Sequence, residues 1–190
     1  MPRLPFQAAL LLAPLAYVIH HAEEHLVFNF RAWRLRYLPA TNALSTEAVL
    51  LVLVGITLVY LLLHALTRTR VSAWMALLFL MATQVHNTIF HLGATLVFRD
   101  FSPGLVTALA LYVPVNLVIV RAARAEGLVT GRQLALLFVG GGALFWTFEF
   151  VGAALLPVAA LATWGWVVGD AWRGRAGEPE VRATTRAPRP

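Results

Sequence analysis

The chain has 190 residues, of which 59% are hydrophobic and 13% charged, with a mean hydropathy of +0.73 and a net charge of +6. Its apolar residues fall in blocks and not in alternation, which excludes a water-soluble globular domain and leaves room for about five or six membrane helices of roughly 20 residues each. All the positive charge is arginine, placed between or beyond the blocks, where it sets topology and meets lipid headgroups instead of forming a nucleic-acid surface; without cysteine, a metal site must use histidine, carboxylate, amide or water.

The first apolar block covers residues 5–28. Arg3 and the run to Ala16 have the outline of a short signal peptide, but apolar character continues through Tyr17, Val18 and Ile19 and resumes at Leu26, so the segment reads as a retained span. Near its end stands His20-His21-Ala22-Glu23-Glu24-His25. Ionisable groups within a span cost several kcal/mol unless they pair, line a wet cavity or hold a metal, so this cluster is a site by default. Residues 31–46 mix Arg31, Arg34 and Arg36 with Trp33 and Tyr37, as suits a short interfacial helix.

The second span is predicted at 47–66, with His64 at its interfacial end, and the third at 71–98, carrying Gln84, His86, Asn87 and His91. The fourth, 104–120, contains Pro114 and Asn116, whose amide can bind the carbonyl that the proline frees. One helix from Gln133 to Gly169 would be ~55 Å long against a hydrocarbon core of ~30 Å, so the chain should fold back once, giving spans at 132–149 and 152–170. Gly140, Gly141 and Gly142 can break this helix or let it pack closely, and Gly152 and Pro157 offer another bend. Residues 1–172 form a single transmembrane domain, and 173–190 are expected to be a disordered basic tail.

The fold class is therefore all-α, a polytopic bundle of six spans, with five as the alternative. Six spans with both termini in the cytoplasm put eleven of the fifteen arginines inside, a better split than nine to six for five spans. Spans one, three and five then run outward together. Counted at ~1.5 Å per residue, His20, Glu24, His86, His91 and Glu149 reach one level in the outer half of the membrane. At 100° per residue His20 shares a face with Glu23 and Glu24, His21 and His25 form an adjoining face, and Gln84, Asn87 and His91 group together while His86 points away. A single metal can take His20, Glu24 and His91, with Glu23, His25 or His86 completing the shell or binding a second ion.

The run His20-His21-Ala22-Glu23-Glu24 resembles the signature of the HXXEE family of small integral membrane proteins. NTIFHLGATLVFRDFSPG, Asn87 to Gly104, is similar to that family's second block, a histidine followed by an aromatic-x-Pro-Gly step that opens the next span. The resemblance runs from the first span through the fourth. It implies an all-helical membrane fold and leaves the reaction open. By that match His20, Glu23 and Glu24 take the motif positions and His91 is the downstream histidine, while His21, His25 and His86 are additional.

Three classes of function suit these residues. A membrane-embedded metalloenzyme would hold zinc, iron or manganese at His20, Glu24 and His91, with Glu23 and Glu24 as catalytic carboxylates and His25, His86, Asn87 and Glu149 as further candidates. Reached from the bilayer, it would act on a lipophilic small molecule such as a lipid or isoprenoid. The chain lacks both HExxH and the HxxHH boxes of membrane desaturases, so neither fixes the reaction. A proton or metal-ion transporter would use the same groups as a relay, although no repeat links residues 1–95 with 96–190. A non-catalytic membrane subunit would use them to join helices, with the glutamates capping the first span at the interface. The metalloenzyme reading is preferred, ahead of transport.

Overall fold

A computed structural model describes residues 4–38, 46–152 and 155–176. Seven helices run through these residues, and no strand occurs among them. Helix α1, residues 6–27, joins Phe6–Leu10 and Leu12–Ala22 to a final π turn, Glu23–Val27. The short α2, Phe30–Tyr37, starts where the Asn29 side chain accepts from the Ala32 amide at 2.9 Å. Then follow α3 (Thr46–Thr67), α4 (Arg70–Phe98), α5 (Leu105–Ala125), α6 (Gly131–Val151) and α7 (Leu155–Ala176).

Most helix ends fall within a few residues of the expected spans, α5 and α7 run five and six residues further, and α2 overlaps the expected interfacial segment. Helices α4, α5 and α6 are long and apolar enough to cross a membrane, and Leu51–Thr67 of α3 is a shorter apolar stretch. Their outward faces carry Leu58 and Leu62 on α3, Leu109 and Leu117 on α5, and Leu136 and Phe150 on α6. Exposed apolar stripes of this kind are consistent with lipid contact. The expected tail begins inside α7, which continues to Ala176; residues 177–190 lie outside the described residues.

The fold-back falls at Gly152, whose φ of +83° ends α6 in a conformation that favours glycine. The three earlier glycines stay helical and serve packing. A Cβ at Gly141 would stand 2.6 Å from that of Met81, and one at Gly142 would stand 2.6 Å from His86 Nε2, so α6 lies against α4 only because side chains are missing there.

Two kinds of interior result. Toward the start of α1, Phe6, Ala9, Leu10 and Ala13 pack with Tyr60 and Leu63 of α3, Ala73, Ala76 and Leu77 of α4, and Ile119 and Ala123 of α5. His64, at the end of its span as expected, is buried beside this core, with Nδ1 2.8 Å from Ser72 Oγ. Toward the end of α1 the interior becomes polar and aromatic. There Trp33 of α2 covers Phe90 and Ala94 of α4 and Phe145 of α6.

Candidate metal centre

Three helices leave regular α geometry around the polar interior, in π turns at Glu23–Val27, Met81–His86 and Ala108–Tyr112. A π turn adds a residue to one turn and rotates everything beyond it, a local distortion common at functional sites. At the centre is Glu24, 2% exposed. Its Oε1 lies 3.2 Å from His91 Nε2 and 3.5 Å from His20 Nε2; its Oε2 lies 2.6 Å from His21 Nδ1 and 3.7 Å from His25 Nε2. The His20 and His91 rings have centroids 5.2 Å apart, close enough to share one ion.

The far nitrogens of the two deep histidines are held. His91 Nδ1 is 2.8 Å from Ser102 Oγ, and the Ser102 amide donates to Thr95 Oγ1 at 3.0 Å. His20 Nδ1 is 3.0 Å from Thr107 Oγ1. That hydroxyl faces two groups that only accept, the Glu23 carboxylate and the Gly104 carbonyl. It donates to one of them and therefore accepts from His20 Nδ1, which leaves Nε2 as the nitrogen turned to Glu24. Neither His20 Nε2 nor His91 Nε2 has a hydrogen-bond partner among the described residues. A lone pair facing an anionic oxygen at this range needs a cation between them, whether proton or metal. Ligands about 2.0–2.2 Å from a tetrahedral metal stand roughly 3.4 Å apart, so the observed separations suit a metal, and the Thr107 and Ser102 contacts are the kind that fix histidine ligands.

Gly104 closes this pocket. Its φ is +97°, and a Cβ there would come within 2.8 Å of His20 Cε1, 2.9 Å of Glu24 Cγ and 2.9 Å of His91 Cε1. The Tyr112 ring covers His20 from the other side at 4.5 Å between centroids. Sequence reasoning missed Ser102, Gly104 and Thr107 as site residues, although the first two stand in the Phe-Ser-Pro-Gly step and signal themselves there.

The remaining candidates separate. Glu23 faces α5, where its carboxylate accepts from the Val106 amide at 3.3 Å, the Thr107 amide at 2.7 Å and the Thr107 hydroxyl. His86 packs against Phe138 of α6, and its Nδ1 is 2.9 Å from the Met81 carbonyl, away from Glu24. Asn87 and Glu149 line a cavity of about 360 Å³ together with His21, Glu24 and His25. Glu149 pairs there with Arg34 at 2.5 Å. Phe79, Leu78, Leu53, Phe90 and Phe145 give the cavity its apolar walls, and its volume is that of a small-molecule site. Asn116 bonds the Tyr112 carbonyl and Gln84 Oε1, each at 2.8 Å, which ties α5 to α4 beneath the histidines.

Among the described residues, two groups of donor atoms are close enough to hold a metal ion: His20, Glu24 and His91, fully enclosed, and His21, Glu24 and His25, toward the cavity. Imidazole and carboxylate together suit zinc, iron or manganese. Residues 11–119 match the family described as protein of unknown function with HXXEE motif. No curated protein and no solved structure matches the chain.

Proposed function

The chain belongs to the HXXEE family, to which no function is assigned, and from its own geometry we propose that it is a metal-dependent membrane enzyme acting on a lipophilic substrate. In this reading six helices span the bilayer with both termini in the cytoplasm. One observation carries the enzyme assignment. Two buried histidine nitrogens without hydrogen-bond partners converge on one oxygen of Glu24, and the same carboxylate borders an apolar cavity.

His20, Glu24 and His91 would hold zinc, iron or manganese, which would supply Lewis acidity and lower the pKa of water. The chain's own groups do the rest. Glu23 is a positioning residue that holds Thr107, and Thr107 fixes the His20 proton on Nδ1. Ser102 orients His91, while Gly104 and Tyr112 close the deep side to water. Arg31 and Arg34 stand where the polar end of an amphiphile would lie, with its chain along Phe79, Leu78 and Leu53. Transport through the same groups would need a polar route toward the start of α1, where the described interior is the close-packed core around Phe6 and Leu77.

The test is metal content by elemental mass spectrometry on protein without a histidine tag in lipid nanodiscs. Zinc, iron or manganese at one ion or more per chain, lost in Glu24→Ala and reduced in His91→Ala, is the expected result. No metal after reloading, or metal indifferent to both substitutions, overturns the reading and returns these groups to proton transfer or helix joining.

A further inference from the structure

A carboxylate has two oxygens, and here each meets two histidines. Oε1 faces His20 and His91, and Oε2 faces His21 and His25. We infer that the centre holds two cations bridged by Glu24, an inner one at His20, Oε1 and His91 and an outer one at His21, Oε2 and His25. The inference rests on the metal-dependent reading above and extends it to a second ion.

The local sequence explains how one helix end supplies so many donors. His20 and Glu24, like His21 and His25, stand four residues apart and so lie one above the other on α1. Glu24 and His25 are neighbours, which a regular α-helix points apart. Here both lie in the π turn Glu23–Val27, and His25 Nε2 still comes within 3.7 Å of Oε2. Donor atoms of His21, Glu24 and His25 all lie within 4.8 Å of one another; His21 Nδ1 and Oε2, hydrogen-bonded at 2.6 Å, must give up that proton and part to about 3 Å for an ion to sit between them at ligand bonds of ~2 Å.

His21 offers a further buried nitrogen besides the Nδ1 that hydrogen-bonds Oε2. His21 is only 4% exposed, yet its Nε2 has no hydrogen-bond partner among the described residues. It is stacked between the Tyr17 and His25 rings at 5.5 and 5.9 Å, so the imidazole cannot turn freely to find one.

The two positions differ in access. The inner one is closed by Gly104 and Tyr112. The outer one opens on the cavity through His21 and His25, and so keeps coordination positions for water or substrate, as catalytic sites do. Paired metal sites place their ions about 3.5–4 Å apart, within the span of a bridging carboxylate. One carboxylate cannot neutralise two divalent ions. The outer position therefore favours a hydroxide or an anionic oxygen of the substrate, entering past Asn87 and Arg34.

The experiment loads the full chain in nanodiscs with Mn(II), removes free ion by desalting, counts manganese per chain and records its electron paramagnetic resonance. Two ions per wild-type chain with a spin-coupled signal are expected. His25→Ala and, separately, His25→Gln should leave one ion with the six-line spectrum of isolated Mn(II), and Glu24→Gln should leave none. Gel filtration and the melting midpoint show that each variant is folded, and His25, the least enclosed of the four histidines, is the mildest place to substitute. One uncoupled ion per chain, unchanged by either His25 substitution, overturns the second position and leaves the single-metal reading standing. No ion in the wild type overturns that reading instead.

Discussion

The two halves of the bundle interior are built on different principles. Around Phe6, Leu77 and Ile119 the helices carry no π turn and depart from α geometry only at Leu11, alanines bring the backbones together, and the order of the interior comes from shape. Around Glu24 the helices carry π turns, the His20 and His91 rings stand edge to face, and each deep histidine is tied at one nitrogen and faces Glu24 at the other without a hydrogen bond. The first half can be degraded gradually by removing volume. The second depends on single hydrogen atoms and single missing methyl groups. Stability and metal affinity should therefore respond to different substitutions, and the contrast fails if they do not.

Gly104→Ala should break the contrast most severely, because it lies where the two demands meet. The new Cβ would enter all three deep ligand side chains below 3.0 Å, and the left-handed backbone adds strain of about 1–3 kcal/mol. Loss of metal together with a lowered melting midpoint in nanodiscs is expected. Retention of both would show that the pocket yields. Leu77→Ala tests the other half. Leu77 is 1% exposed in the apolar core, so its truncation should destabilise the fold by about 2–5 kcal/mol while the folded fraction keeps wild-type metal content. Metal loss in that folded fraction would mean that the halves are coupled.

Much of this division was readable from the residues. The apolar blocks delimited the helices, and depth counted along the first and third spans put His20, Glu24 and His91 at one level; Glu149 of the fifth, counted to the same level, pairs with Arg34 at the cavity instead. What escaped was phase. A constant 100° per residue put Glu23 beside Glu24 on one face, whereas in the structure Glu23 reaches the first turn of α5 and Glu24 the centre. The same constant grouped Gln84, Asn87 and His91; with Gln84 inside the π turn Met81–His86 and the other two beyond it these diverge, to Asn116, to the cavity and to Glu24. Sequence carries no plain signal for a π turn, because the extra residue is accommodated by neighbours on other helices. The Arg34–Glu149 pair, joining residues far apart in the chain, was equally out of reach. Gly104 was visible as part of a Pro-Gly step, but its closeness to three ligands is a property of the packed bundle.

The mildest substitution is the sharpest test of the polar half, because it should change one proton and little else. Thr107→Val preserves shape and removes the hydroxyl that accepts from His20 Nδ1. Glu23 keeps the amides of Val106 and Thr107 and so still caps α5. Without that acceptor, His20 no longer favours a proton on Nδ1, and the tautomer with its proton on Nε2 blocks the metal-facing nitrogen. Loss of such a supporting contact typically weakens metal binding by about 10–100-fold. Titration of the reloaded protein should show a drop of that size with the melting midpoint of the metal-free protein nearly unchanged, and Thr107→Ser, which restores the hydroxyl, should recover most of the affinity. Equal affinity in Thr107→Val and wild type would mean that the Thr107 hydroxyl only binds Glu23, and that His20 is oriented by packing against Tyr112 alone.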